Sequence, residues 1–332
     1  IERVVKKYLK KGIDADKIAF ISFTNKAVDT AKFRALEAFP HLDSKSFSRF
    51  RTLHSYCRRY FEEEIFDTKD CMIDYALTNN FVKRFFRRSR TRYALEGKGF
   101  IGSILHRIKR PSVMLDFYAD LGIKISDTIL DVGGGTGDFA WQMRSFGIRD
   151  ILAIDKFIEA DVFVDGKILA KKTDIFSIER QYDLITFHHS LEHMQEQQKT
   201  LLHAKKLLKK NGRILVRIPT VTSDNWEKYG VNWMALEVPR HFYIHSHKSI
   251  RLLAKQVDLK VTRLWSDSTI VPIWVSEQYL KGISMFAENS YGENPEKSIF
   301  NDAQIEEFQK IADDNNKRNR GDTICVLLEQ IN

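Results

Sequence analysis

Cysteine is scarce in this chain: Cys57, Cys71 and Cys325 are the three examples in 332 residues. They lie far apart and none sits in a CxxC pair, which excludes a disulfide framework and a zinc knuckle and suits a reducing, cytoplasmic setting. Long apolar runs are also missing. Nothing approaches the roughly 20 residues of a membrane span, and no signal-peptide pattern opens the chain, so no membrane partner is expected. The chain opens on Ile1 rather than Met and runs straight into a helical pattern, as if its true beginning were cut away. A net charge of +9 suits an anionic partner but is weak evidence alone. Clusters such as Arg84, Arg87, Arg88, Arg90 and Arg92 read as solvated helix faces.

What is present falls into two dissimilar parts. Residues 1–66 read as helix, strand, helix, strand, helix, a small α/β fragment. Gly12 stops the first helix, residues 18–23 have the branching of a buried strand, and Pro40 ends a helix begun near Lys26. Residues 67–94 form a junction. From 95 to 332 the pattern is an ordered α/β alternation, with strands expected over 128–132, 150–154, 183–187 and 213–218. A long helix is expected over 192–210, closed by Asn211-Gly212. This alternation predicts a doubly wound, Rossmann-like parallel sheet. Two further strands, over 260–265 and 323–328, enclose a long polar segment.

The sharpest local signal is Asp131-Val132-Gly133-Gly134-Gly135-Thr136-Gly137. A strand runs into a glycine turn and a helix starts at once, so backbone N–H groups at a helix amino terminus face any ligand. Its spacing is DxGxGxG rather than the GxGxxG of dinucleotide sites. The next strand ends at Asp155, about 20 residues on, where a carboxylate can accept both hydroxyls of a ribose. Asp174 follows, with Ile175-Phe176 after it as an adenine edge and apolar wall.

These residues resemble the class I S-adenosylmethionine-dependent methyltransferases. The resemblance implies that Asp131, Gly133, Gly135 and Gly137 cradle the methionine part of the cofactor, Asp155 holds the ribose, and Asp174 with Ile175 meets the adenine. His188, in Phe187-His188-His189-Ser190-Leu191-Glu192-His193, falls at the end of the family's fourth strand, on the cofactor side. The last two strands would form the family's terminal antiparallel hairpin.

The acceptor is less legible. Trp233 through Pro239-Arg240-His241-Phe242-Tyr243 resembles a stretch in methyltransferases of surface glycans and small molecules, as does Ser276-Glu277-Gln278-Tyr279-Leu280. The expectation is O-methylation of a small molecule or glycan, with His241 as the general base and no metal. An alternative is a divalent metal on His189, Glu192 and His193, whose HxxEH spacing could share one helical turn, with His241 as a distant fourth ligand. The ExxEH of metal-holding relatives has His189 in place of its first acid, which counts against it. No (Asp/Asn)-Pro-Pro-aromatic motif follows the fourth strand, and no cysteine follows a proline, which disfavours base-amino and cytosine-carbon methylation of DNA.

The front part carries a second resemblance. Thr24-Asn25-Lys26-Ala27 and Thr52-Leu53-His54-Ser55 look like elements of UvrD/Rep-type superfamily 1 helicases. The likeness implies that Thr24, Asn25, Thr52 and His54 contact a single strand, with weak single-stranded nucleic acid binding as the consequence. No GxxxxGK(S/T) phosphate loop occurs in the sequence, so no ATP-driven motor is expected. A methyltransferase brought to nucleic acid by this segment is the alternative function.

Overall fold

The computed structural model describes residues 5, 9, 20–22, 25–40, 42, 50–52, 81–108 and 113–331. The chain divides into two compact units, Ile1–Arg84 and Phe85–Asn332. In the first, β1 (Phe20–Ser22) and β2 (Phe50–Thr52) pair in parallel, with Phe20 opposite Phe50. The helix α1 (Asn25–Ala38) connects them, and its Ala31 and Ala35 pack with Val5 and Phe39 in a small apolar cluster. Asn25 opens α1 and Thr52 ends β2, whereas Thr24 and His54 lie outside the described residues.

Three helices lead into the second unit: α2 (Phe81–Glu96), α3 (Phe100–Ile108) and α4 (Val113–Asp120). An alternating series follows: β3 (Ile129–Val132), α5 (Asp138–Phe146), β4 (Ile151–Ile154), β5 (Val162–Val164), β6 (Lys167–Lys171), β7 (Tyr182–His188), α6 (Gln197–Lys206) and β8 (Leu208–Pro219). The chain closes with α7 (Asp224–Tyr229), α8 (His247–Gln256), β9 (Leu259–Ser266), α9 (Val271–Leu280), α10 (Asp302–Lys317) and β10 (Thr323–Gln330). The sheet has eight strands in the order β5-β6-β4-β3-β7-β8-β10-β9. From β6 to β8 it is parallel, while β10 runs antiparallel to both β8 and β9.

The period of two along each strand distributes its side chains between two cores. Leu130, Val132, Ile185, Phe187, Ile214, Val216 and Val326 face one core, closed by Leu201 and Ala204 of α6 and Ile250 and Leu253 of α8. Ile129, Leu184, Leu215 and Cys325 face the other, closed by Leu115 and Tyr118 of α4, Met143 of α5 and Leu95 of α2. The expected double winding is therefore present, and so are the late antiparallel strands.

One expectation needs correction, and one pair of strands was not expected. The helix expected over 192–210 is shorter: Leu191–His193 is a single 3-10 turn, Met194 is extended, and α6 occupies Gln197–Lys206. Leu208 already pairs with Tyr182, because burying it in the sheet competes with another helical turn. The edge hairpin β5–β6 went unread, although Asp165-Gly166 is a strong hairpin signal. Both residues have positive φ (52° and 70°), as a two-residue turn between twisted strands requires.

Candidate functional site

The site is built at the carboxyl ends of β3, β4 and β7, where an open α/β sheet leaves a crevice. β3 delivers Asp131 and then the glycine turn. Gly133 and Gly134 donate to the Ile154 carbonyl at 2.8 and 3.2 Å, which ties the turn to β4. A Cβ at Gly134 would collide with the buried Asp131 carboxylate and lie 3.0 Å from Ala153 Cβ, so the close approach there favours glycine. At Gly135 (φ 54°) a Cβ would meet nothing within 4 Å, so the turn presents open space to a ligand. Gly137, also at positive φ, caps the amino end of α5, and Gly147 ends that helix in the left-handed region.

Asp155 follows β4 and is held from two sides. Its Oδ2 accepts from Gly135 N at 3.1 Å and its Oδ1 from Phe157 N at 2.8 Å. Asp174 caps the 3-10 turn Ile175–Ser177, accepting from Phe176 N at 3.1 Å, and Lys156 Nζ lies 3.8 Å from its Oδ2. Ile175 is buried in the core, so the apolar side chains open to a ligand are its neighbour Phe176, 48% exposed, and Phe157, 75% exposed. Two exposed aromatic rings on surface loops beside these acids are the apolar complement that a planar heterocycle needs.

Asp131 does not reach solvent. It accepts from Thr186 Oγ1 at 2.8 Å, and burial pushes its carboxyl up to about 7, with the Asp155 charge adding to the rise. His188, at the end of β7, shares a 3.0 Å hydrogen bond with Tyr118 Oη and packs against the Phe139 ring. Burial, with the Arg217 guanidinium and His189 beside it, holds His188 down at about 3, so it is a neutral imidazole. Ser190 then locks the turn, donating to Val132 O at 2.6 Å.

The opposite wall comes from a segment far away in sequence. Phe242 N donates to Glu192 O at 2.9 Å, which brings His241 beside His193 with ring centroids 4.7 Å apart. His241 Nδ1 donates to Ala235 O at 2.9 Å, and His193 Nδ1 donates to Arg240 O at 3.0 Å. A carbonyl only accepts, so Nδ1 carries a proton in each ring and Nε2 is the lone-pair nitrogen of the neutral form. His241 Nε2 lies 3.5 Å from Glu237 Oε2. Burial lowers the His241 pKa, with His193 adding and the Glu192 and Glu237 charges opposing. Val238, Phe242 and Tyr243 expose apolar surface on the same segment. The segment is anchored by residues of α9: Met234 N donates to Ser276 Oγ at 2.9 Å, and Tyr229 Oη donates to Glu277 Oε1 at 2.8 Å. Asp322, which sequence reasoning passed over, accepts from the Trp233 indole.

His189 is not on a helical turn with Glu192. It stands at φ 48° before the 3-10 turn, with Nδ1 3.5 Å from Glu192 Oε1. Glu192, His193 and His241 each offer one ligand atom, all within 4.8 Å of one another. Glu192 is 1% exposed, and neither of its carboxylate oxygens has a hydrogen-bond partner.

Residues 104–264 match the model of a methyltransferase domain, and residues 1–114 match that of the UvrD/REP helicase N-terminal domain. No curated protein matches the chain. Among solved structures, a SAM-dependent methyltransferase from Archaeoglobus fulgidus is 16% identical, covering 69% of this chain and 99% of its own, with a TM-score of 0.40. One from Mesorhizobium loti is 13% identical, covering 61% and 90%, with a TM-score of 0.38. No helix among the described residues is long and apolar enough to cross a membrane. At Gly135 the turn leaves open space for a ligand, and residues 104–264 match a methyltransferase domain, preceded by a segment similar to the amino-terminal domain of UvrD-type helicases.

Proposed function

We propose that the domain transfers a methyl group to a hydroxyl oxygen of a small molecule or glycan in the cytoplasm. The cofactor supplies an electrophilic methyl group on a sulfonium. The glycine turn from Gly133 to Gly137 holds its methionine end near buried Asp131, Asp155 takes the ribose, and Asp174 with Phe176 receives the adenine. Orientation of this kind can supply on the order of 7–11 kcal/mol of the barrier. The observation that carries the choice of oxygen is the His241 imidazole. Its Nδ1–H is committed to Ala235 O, and burial keeps the ring in its proton-accepting form. Exposed Phe242, Tyr243 and Val238 around it offer an apolar surface on which a sugar ring or small organic acceptor can stack. Mass spectrometry of products formed from labelled cofactor and pools of glycans and small hydroxylated molecules tests the reading. Label found on nitrogen or carbon, with none on oxygen, refutes it.

A second reading is favoured by the match of residues 1–114 to the helicase domain. In that reading the front segment brings the enzyme to single-stranded nucleic acid. Salt-dependent binding to single-stranded DNA that vanishes on removal of residues 1–66 supports it, and absence of such binding removes it.

A further inference from the structure

We propose that Glu192, His193 and His241 form a binding site for one divalent transition-metal cation, with Zn2+ and Mn2+ as the ions that fit its donors. The inference rests on the acceptor class of the proposed function and changes one step of it: His241 holds an ion that activates the hydroxyl, in place of acting as a free base.

Three independent features of the cluster point to a cation. The first is Glu192, which is buried to 1% exposure with both carboxylate oxygens unpartnered by any hydrogen bond. The nearest basic group is His189 Nδ1, 3.5 Å from Oε1. A carboxylate taken out of water and left without donors is strongly disfavoured, and a metal ion is the usual partner of such a group. The second is the pair of tautomers. Ala235 O and Arg240 O each take the Nδ1–H of a histidine, which leaves Nε2 of His241 and of His193 as lone-pair nitrogens. Histidines that bind metals are oriented in this way, by a backbone carbonyl on the nitrogen remote from the ion. The third is the convergence itself. Among the described residues this is the one group of three such side chains whose ligand atoms lie within 4.8 Å of one another. Metal–ligand bonds of about 2.0–2.2 Å place donors about 3–4 Å apart, so small side-chain rotations close the set.

The backbone holds the three together. Glu192 and His193 share the 3-10 turn after β7, and the Glu192 carbonyl takes the Phe242 N–H next to His241. Two imidazoles and one carboxylate suit a borderline ion better than Mg2+, which prefers oxygen throughout. Three protein ligands leave a coordination position open, the arrangement of a catalytic rather than a closed structural site. A hydroxyl bound there loses its proton to water more readily. Its oxygen lone pair then forms the C–O bond while the C–S bond breaks and its electron pair stays on sulfur. The acceptor becomes a methyl ether, the sulfonium becomes a thioether, and one proton is released. In this state His241 is a ligand, and the ion does the work otherwise assigned to the bare imidazole.

The test is calorimetric titration of the full, chelator-stripped chain with ZnCl2, MnCl2 and MgCl2, with Mn2+ paramagnetic resonance as a check that thiols do not mislead. S-adenosylmethionine binding and thermal melting are measured on the same samples. The expected result is one equivalent of Zn2+ or Mn2+ per chain and no tight Mg2+ binding. Metal affinity should fall about 100-fold or more in Glu192→Gln and in His193→Ala, both still binding the cofactor, since even outer-shell changes at metal sites cost about 10–100-fold. Should Glu192→Gln melt far below the wild type, His193→Ala on the partly exposed turn decides. Cofactor binding without stoichiometric metal binding, or metal binding unchanged in the variants, overturns the site. Metal binding without cofactor binding instead upholds the site and overturns the proposed function.

Discussion

The Gly135 N–H donates to Asp155 Oδ2 at 3.1 Å, so the acid at the end of β4 is fastened to the glycine turn at the end of β3. Phe157 N takes the other oxygen at 2.8 Å. The carboxylate is thus oriented before any ligand arrives, with a further lone pair on each oxygen for a ribose hydroxyl. Replacement of Asp155 by Ala should weaken S-adenosylmethionine binding at least about tenfold, the loss of one charge-assisted hydrogen bond worth about 1.4 kcal/mol or more. Titration calorimetry reads this directly, and an unchanged affinity would remove Asp155 from the ribose site.

Asp131 makes stability depend on pH. Burial, helped by the Asp155 charge, raises its carboxyl from the usual 3.8 to about 7 in the fold, against the Thr186 hydrogen bond. An acid that binds its proton more tightly when folded stabilises the fold fully below its unfolded value. That contribution is lost as pH rises through about 7. Between pH 4 and pH 7 the ligand-free wild type should therefore lose melting temperature faster than Asp131→Asn. Parallel curves for the two proteins would contradict the assignment.

His241→Ala removes the group that activates the acceptor, as base or as ligand, and should lower turnover about 100- to 10,000-fold while leaving cofactor affinity nearly unchanged. Steady-state kinetics with the identified acceptor, beside cofactor titrations, separates the two effects. Near-normal turnover in the variant would mean that positioning alone carries the reaction.

A chain beginning at Phe85 should fold and bind the cofactor. It retains the Arg87 bond to Ser145 O at 3.1 Å and the buried Thr91 and Leu95, and both faces of the eight-stranded sheet keep their helices. Cooperative melting with undiminished cofactor affinity is the expected outcome. An insoluble product, or one blind to the cofactor, would show that the second unit depends on residues before 85.

The parallel strands were legible because branched apolar runs such as Ile129-Leu130 and Ile151-Leu152 have no other stable use than a sheet covered on both faces. The glycine turn was legible because its spacing and the acid after the next strand are local facts. The Leu191–His193 turn was not, since its residues suit a helix as well and only tertiary contacts decide between them. The meeting of Glu192 with His241 entered the sequence reading as an alternative drawn from a resemblance. Its basis is contacts across some fifty residues, Phe242 N to Glu192 O and His193 Nδ1 to Arg240 O, which no local pattern encodes.

β10 sits between β8 and β9, yet it is the last of the three to be made. Some 100 residues separate the end of β8 at Pro219 from Thr323, about 5–20 s of ribosomal synthesis at about 5–20 residues per second. Throughout that interval the nascent chain carries β8 with a bare edge, and β9 emerges before the strand that must lie between them. The sheet is finished by insertion, not by extension. Early pairing of β9 on β8 is a trap that the growing chain must avoid or reverse until residue 330 is free.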